Sequence, residues 1–95
     1  MKLGVLITKA EYRGYIIPVI RAALKRGDEV TVFMMDDGCH LANDREFASL
    51  AGDVKVNICD LNRGQRGIEP PAEIHSGSQY DNIRMVRGTE RLLVF

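Results

Sequence analysis

Two cysteines carry the reactive chemistry open to this chain. Cys59 lies in VNICDLNRGQRG, residues 56–67, where an alternating apolar segment runs into the thiol, Asp60 follows, and Arg63 and Arg66 frame two glycines. A thiol at the start of a helix meets unpaired backbone N–H groups and the positive end of the dipole, which favours the thiolate and makes it nucleophilic at neutral pH. Arg63 and Arg66 would add to that field, and Asp60 would oppose it. Cysteine is also among the most often buried residue types, so the same position reads as a packing thiol.

Cys39 follows Gly38 and precedes His40, which could serve as a general base or hydrogen-bond partner. Adjacent side chains need not face each other, and a loop thiol beside an exposed histidine is the plainer reading. If the strands leading to the two cysteines are neighbours, about 4.8 Å apart, Cys39 and Cys59 could form a reversible pair. Cys39, His40, Cys59 and His75 are all soft metal ligands, but no C-x-x-C or H-x-x-x-H unit is present, so no metal is expected. Asp36 and Asp37 open a turn before Gly38, which is ordinary turn chemistry. The loop TKAEYRGY lacks G-x-G-x-x-G and a P-loop lysine, so neither a nucleotide nor a flavin cofactor is expected.

These residues need a scaffold, and 95 residues allow one domain, 1–95, with a single modest core. At 45% hydrophobic and 27% charged residues, the composition is that of a folded globular chain rather than a disordered one. Thirteen basic and thirteen acidic residues cancel, so no overall positive field gathers nucleic acid or an anionic membrane. MKLGVLITK reads as a first strand rather than a signal peptide, and no apolar run approaches the roughly 20 residues that span a bilayer. The expected location is cytoplasmic, where thiols stay reduced.

Residues 3–8, LGVLIT, form a continuous apolar run suited to a strand buried on both faces. Helical spacing over Tyr15 to Arg26 places Ile16, Val19, Ile20, Ala23 and Leu24 on one face, with Pro18 in the first turn and Gly27 just past the end. Residues 29–35, EVTVFMM, resume strand chemistry. A broken helical stretch follows to Gly52, with Asn43 or Asp44 able to cap its second piece. Val54 to Ile58 reads as the third strand, with Cys59 opening the next loop or helix. Gly64, Gly67, Pro70, Pro71 and Gly77 make residues 64–79 a long irregular connection. A short helix capped by Asp81 then runs to Arg87, and RLLVF closes the chain as a strand. Alternating strands and helices give a three-layer α/β/α sandwich on a mainly parallel sheet of about five strands, reacting at the strands' carboxyl ends.

Four stretches together resemble the DsrE/TusD family of intracellular sulfur-relay proteins. They are VNICDLNRGQRGI, VTVFMMDDGCHLAN, the opening strand with its Tyr-Arg-Gly loop, and the closing GTERLLVF. The cysteine segment is the distinctive one. The resemblance implies an α/β/α fold, assembly into trimers or hexamers, and a cysteine that accepts sulfane sulfur as a persulfide and hands it to a partner thiol. By position that residue is Cys59, with no metal or organic cofactor required. Cys39 stands where the family pattern has an apolar residue, as a second thiol that would either resolve a Cys59 persulfide or take no part.

The expected function is therefore a small sulfur carrier, or sulfurtransferase subunit, that receives sulfur from a donor protein and delivers it to an acceptor protein. It would work as a homo-oligomer or within a hetero-oligomer, with Arg63, Arg66 and His40 in support. Two alternatives stay open. One is a non-catalytic structural or interaction subunit with Cys59 buried; the other is a thiol-redox sensor using Cys39 and Cys59.

Overall fold

Apolar runs with turn chemistry between them make short strands, and the computed structural model, which describes all 95 residues, joins these into one five-stranded sheet. The elements are β1 (Lys2–Ile7), α1 (Arg13–Lys25), β2 (Glu29–Met34), α2 (Arg45–Ala48), β3 (Lys55–Cys59), α3 (Asp60–Gln65), β4 (Ile74–Gly77), α4 (Gln79–Gly88) and β5 (Arg91–Val94). Two 3-10 segments, Ala10–Tyr12 and Asp36–Asn43, complete the connections.

The sheet order is β4-β3-β2-β1-β5, and every neighbouring pair is parallel. From β1 to β4 the chain steps steadily outward in one direction, then returns across the whole sheet to place β5 beside β1. Crossovers of one hand put connections that step one way on one face and a connection that steps back on the other. The core divides accordingly. Leu3, Val5 and Ile7 of β1, Val30, Val32 and Met34 of β2, and Val56 and Ile58 of β3 pack with Ile16, Ile17, Ile20 and Ala23 of α1 and Phe47 of α2 in a cluster of 21 buried residues. The opposite face carries a second cluster of three, Phe33, Cys59 and Met85, under α4 alone. This is a three-layer α/β/α sandwich with one thick and one thin outer layer.

Local chemistry accounts for the element ends, some of them shifted from the sequence expectation. Helix α1 begins at Arg13, two residues before Tyr15, so Pro18 sits in its second turn and removes one helix hydrogen bond there. Its end is as expected: Gly27 takes φ 84°, its N–H donates to the Leu24 carbonyl at 3.0 Å, and the Asp28 N–H donates to the Ala23 carbonyl at 3.0 Å. Helix α4 starts at Gln79 with Ser78 as its cap, and Asp81, expected as the cap itself, instead closes the reciprocal capping box from the third helical position.

The largest difference is β4. Residues 64–79 read as irregular, yet Ile74–Gly77 pairs with β3 in the register Val56↔Ile74 through Cys59↔Gly77. An edge strand of four residues with only Ile74 buried leaves almost no periodic signature. Backbone pairing to an already formed neighbour supplies what the side chains do not.

Asp44 joins the thick layer's helices. Its carboxylate caps α2 by accepting from the Glu46 and Phe47 N–H groups at 3.1 Å, and it accepts from Arg13 Nε at 2.7 Å and Nη2 at 3.1 Å. Glu46 links the same Arg13 to Arg21. The Arg13 hydrogen bond is the main cause holding the Asp44 carboxyl below its ordinary 3.8. A depressed carboxylate stabilises the fold above its unfolded pKa and loses that contribution as pH falls through the folded value. Asp44→Ala should therefore cost about 1 kcal/mol at neutral pH, chiefly the lost cap. The wild-type advantage over this variant should shrink below pH 3.8, measured by urea unfolding at both pH values. No helix is long and apolar enough to cross a membrane.

Candidate functional site

Strand alternation decides where the two thiols go. On β3, Lys55, Asn57 and Cys59 point to the α4 side, while Val56 and Ile58 point into the main core. Cys59 is the last residue of the strand and the N-terminal flanking residue of α3, in extended conformation (φ −65°, ψ 115°). It packs with Phe33 and Met85 and is 6% exposed. That small exposure opens on a cavity of about 340 Å3 lined by Cys59, Asp60, Leu61, Gly77, Ser78 and Gln79. The thiol therefore sits among the carboxyl ends of β3 and β4 and the first residues of α3 and α4. No side chain caps the first-turn N–H groups of α3.

Cys39 is in a different place. It lies inside the 3-10 segment, is fully buried in the main core, and its Sγ approaches the Met34 carbonyl at 3.8 Å. Burial, followed by the neighbouring Cys59, pushes its thiol up to about 11. The two cysteines are both free and belong to separate clusters on the two sides of the sheet. Strands β2 and β3 are neighbours as the pairing idea required, but Cys39 comes five residues after the end of β2 and turns to the opposite side. His40 is exposed, lining a separate surface cleft with Lys9, Ala10, Glu11 and Asp37. It does not meet either thiol.

Arg63 and Arg66 are engaged elsewhere. Arg63 donates to Asp60 Oδ1 from Nη2 at 2.7 Å and from Nε at 3.0 Å, to Ser76 Oγ at 2.9 Å, and to the Ile68 carbonyl at 3.3 Å. Ser76 also donates to the same Asp60 oxygen at 2.8 Å. The Ser76 hydrogen bond and then Arg63 hold the Asp60 carboxyl below its ordinary range. Arg66 donates to Asp37 at 3.0 Å and to the Asn62 carbonyl at 3.2 Å. Asn62 in turn accepts from the Asp36 N–H at 2.9 Å, supporting a residue held at φ 49°. The arginines thus tie α3 to β4 on one side and to the 3-10 segment on the other. The opposing charge of Asp60 is paired within the same network.

Three groups lining the Cys59 cavity escaped sequence reasoning: Gly77, Ser78 and Gln79. Gly77 ends the strand that the sequence concealed, Ser78 and Gln79 begin the helix after it, and only the cap residue Ser78 before Asp81 carried a usable signal. A second feature also went unseen. The strand order reverses between β1 and β5, and Thr8, Lys9, Tyr12, Tyr15 and Phe95 line a cleft at that edge. No group of three or more His, Cys, Asp or Glu side chains comes together as a metal-ligand set.

No protein-family model matches the chain, and no curated protein matches it. Solved structures share the fold, two of them as follows. The ychN protein from E. coli superposes with a TM-score of 0.83 over 100% of both chains at 14% identity. MTH1491 from Methanobacterium thermoautotrophicum, a protein of unknown function, superposes with a TM-score of 0.79 at 11% identity, covering 99% of this chain and 98% of its own. Likeness at such identities establishes the architecture, and function has to come from the residues at the site.

Proposed function

We propose that this chain is a sulfur-carrier subunit in which Cys59 holds sulfane sulfur as a persulfide and passes it to a partner protein. One observation carries the choice of residue: of two thiols, only Cys59 borders a cavity at the carboxyl edge of the sheet, while Cys39 is sealed in the core. The resemblance of VNICDLNRGQRGI to the relay family supports the chemistry, and the α/β/α fold agrees with it. In the loading step the Cys59 sulfur, as thiolate, attacks the terminal sulfur of a donor persulfide. A new S–S bond forms to Cys59 as the donor's S–S bond breaks, and the donor leaves as a thiolate with the electron pair. No external oxidant or reductant takes part. Delivery repeats the exchange with an acceptor thiol attacking the Cys59 persulfide. The first turn of α3 follows Cys59 directly and has no side-chain cap, so its N–H groups would be free to face an anionic sulfur on Cys59. Assembly with further copies or with partner subunits belongs to the same proposal, supported by exposed Tyr80, Ile83 and Val86 on α4 and Val94 on β5.

The test is intact-protein mass spectrometry after incubation with thiosulfate and a rhodanese-type donor. Wild type and Cys39→Ala should gain the mass of one sulfur atom, and Cys59→Ser should not. Loading of Cys59→Ser to the wild-type level would assign the chemistry to another residue. The packing of Cys59 against Phe33 and Met85 favours a second reading, a structural subunit with an inert thiol. In that case a bulky thiol reagent would label Cys59 only after unfolding.

A further inference from the structure

Beside Cys59, on the same face of β3, the molecule has a second cavity that the sulfur chemistry does not use. It measures about 120 Å3, lies between α4 and the sheet, and is walled mainly by polar groups. That is room for several waters or one compact ion. Its floor is Asn57, only 4% exposed and the one polar residue buried in this protein. The Asn57 side chain lines the cavity. Thr89 lines the same space, and its buried hydroxyl has no hydrogen-bond partner. Buried polar groups are nearly always hydrogen-bonded, so an orphaned hydroxyl beside a buried amide in the wall of one polar cavity points to something that fills it.

The charges around the cavity say what kind of occupant fits. Lys55 and Arg84 both line it, and neither takes part in any of the protein's ion pairs. Arg84 instead lies over the Tyr80 ring at 5.8 Å. Thr31 adds a hydroxyl from β2. The single acid in the wall, Asp81, is occupied as the capping-box partner of Ser78, accepting its N–H at 2.9 Å. Two unpaired cations, an amide and two hydroxyls converge from β2, β3 and α4, a donor set suited to an anion with oxygens in several directions.

We propose that this cavity binds a small tetrahedral oxyanion through Lys55, Arg84 and the Asn57 amide, with the Thr31 and Thr89 hydroxyls completing its shell. Asn57 precedes Cys59 by two residues, about 7 Å along the strand, and Met85 lies between the cavity and the thiol. The site is separate from the thiol, and binding does not depend on persulfide formation.

The experiment is an NMR titration of the full chain, following the Asn57 side-chain amide. Sodium thiosulfate and inorganic phosphate are added separately at ionic strength held constant with chloride. Saturable shifts with either anion are expected, with thiosulfate alone marking a site for sulfur oxyanions and both marking a general oxyanion site. Lys55→Gln and Arg84→Gln alter exposed side chains and should keep the fold, and each should weaken binding about tenfold through loss of one charge-assisted hydrogen bond. Cys59→Ser should titrate as wild type, which separates this site from the sulfur-transfer reading. Shifts that never saturate, or an affinity unchanged in both cation variants, would overturn the proposal.

Discussion

Gly38→Ala should lower the unfolding free energy by at least about 3 kcal/mol, the upper range for forcing atoms into a packed site. The new Cβ would run into the Ile7 carbonyl and its side chain, which are fixed parts of β1. The chain cannot easily move away. The Gly38 N–H donates to the Thr8 carbonyl at 3.0 Å, and the Met35 N–H donates to the Ile7 carbonyl at 3.0 Å, so the 3-10 segment is bonded to the end of β1 just where the methyl group would enter. Domains of this size have only about 5–15 kcal/mol in total, so the loss is a large fraction of stability. Urea unfolding measures it. Gly64→Ala is the matched control: it lies in α3 with open space around it, and should stabilise by roughly 0.5–1 kcal/mol by removing glycine's excess unfolded-state freedom. If Gly38→Ala were as stable as wild type, the close docking of the segment on β1 would be wrong. Because that segment carries Cys39 and pairs with Arg66 through Asp37, the variant should also expose Cys39 to thiol reagents in the native state.

How much of this could be read from the sequence depended on how each residue is used. Strands β1 and β2 announce themselves as near-continuous apolar runs, as in Val30, Val32 and Met34 against Phe33, and β3 by the alternation of Val54, Val56 and Ile58. Gly27 marked the end of α1 because only a residue comfortable at positive φ closes a helix that way. By contrast β4 has four residues and one buried side chain, and its existence depends on backbone pairing with β3, a nonlocal fact. The candidate thiol followed from its position at a strand end, and the structure places it at the carboxyl edge of the sheet. Its surroundings did not follow. Arg63 and Arg66 are spaced along α3 as if to serve Cys59, but Ser76 and Asp37 come from distant parts of the chain and take them. The split of the two cysteines onto opposite sides of the sheet was equally hidden, because it depends on the turn Cys39 makes after β2 ends. Asn57 carried no signal, since a lone asparagine in a buried strand becomes informative only when its cavity is seen.

Met85→Ala should couple stability to the reactivity of Cys59. Met85 is the only buried residue of α4, and α4 is the only helix over Phe33 and Cys59. Truncating a buried methionine costs about 2–5 kcal/mol. Here the loss falls on a ten-residue helix whose remaining ties are its ends: the Ser78 and Asp81 capping box, and the Glu90 N–H donating to the Lys2 carbonyl at 2.8 Å. With its one anchor gone, α4 should open locally well below the cost of global unfolding. Native-state labelling of Cys59 by a bulky thiol reagent should then accelerate by about tenfold or more, since each 1.4 kcal/mol taken from the opening free energy is a factor of ten. Cys39, in the other cluster, should keep its slow rate and serves as the internal control. A variant that lost stability while both thiols kept wild-type rates would show that α4 does not govern access to Cys59. Acceleration at Cys59 alone would identify the thin layer as the cover that must be displaced to reach a thiol that is 6% exposed at rest, an opening the proposed sulfur transfer requires.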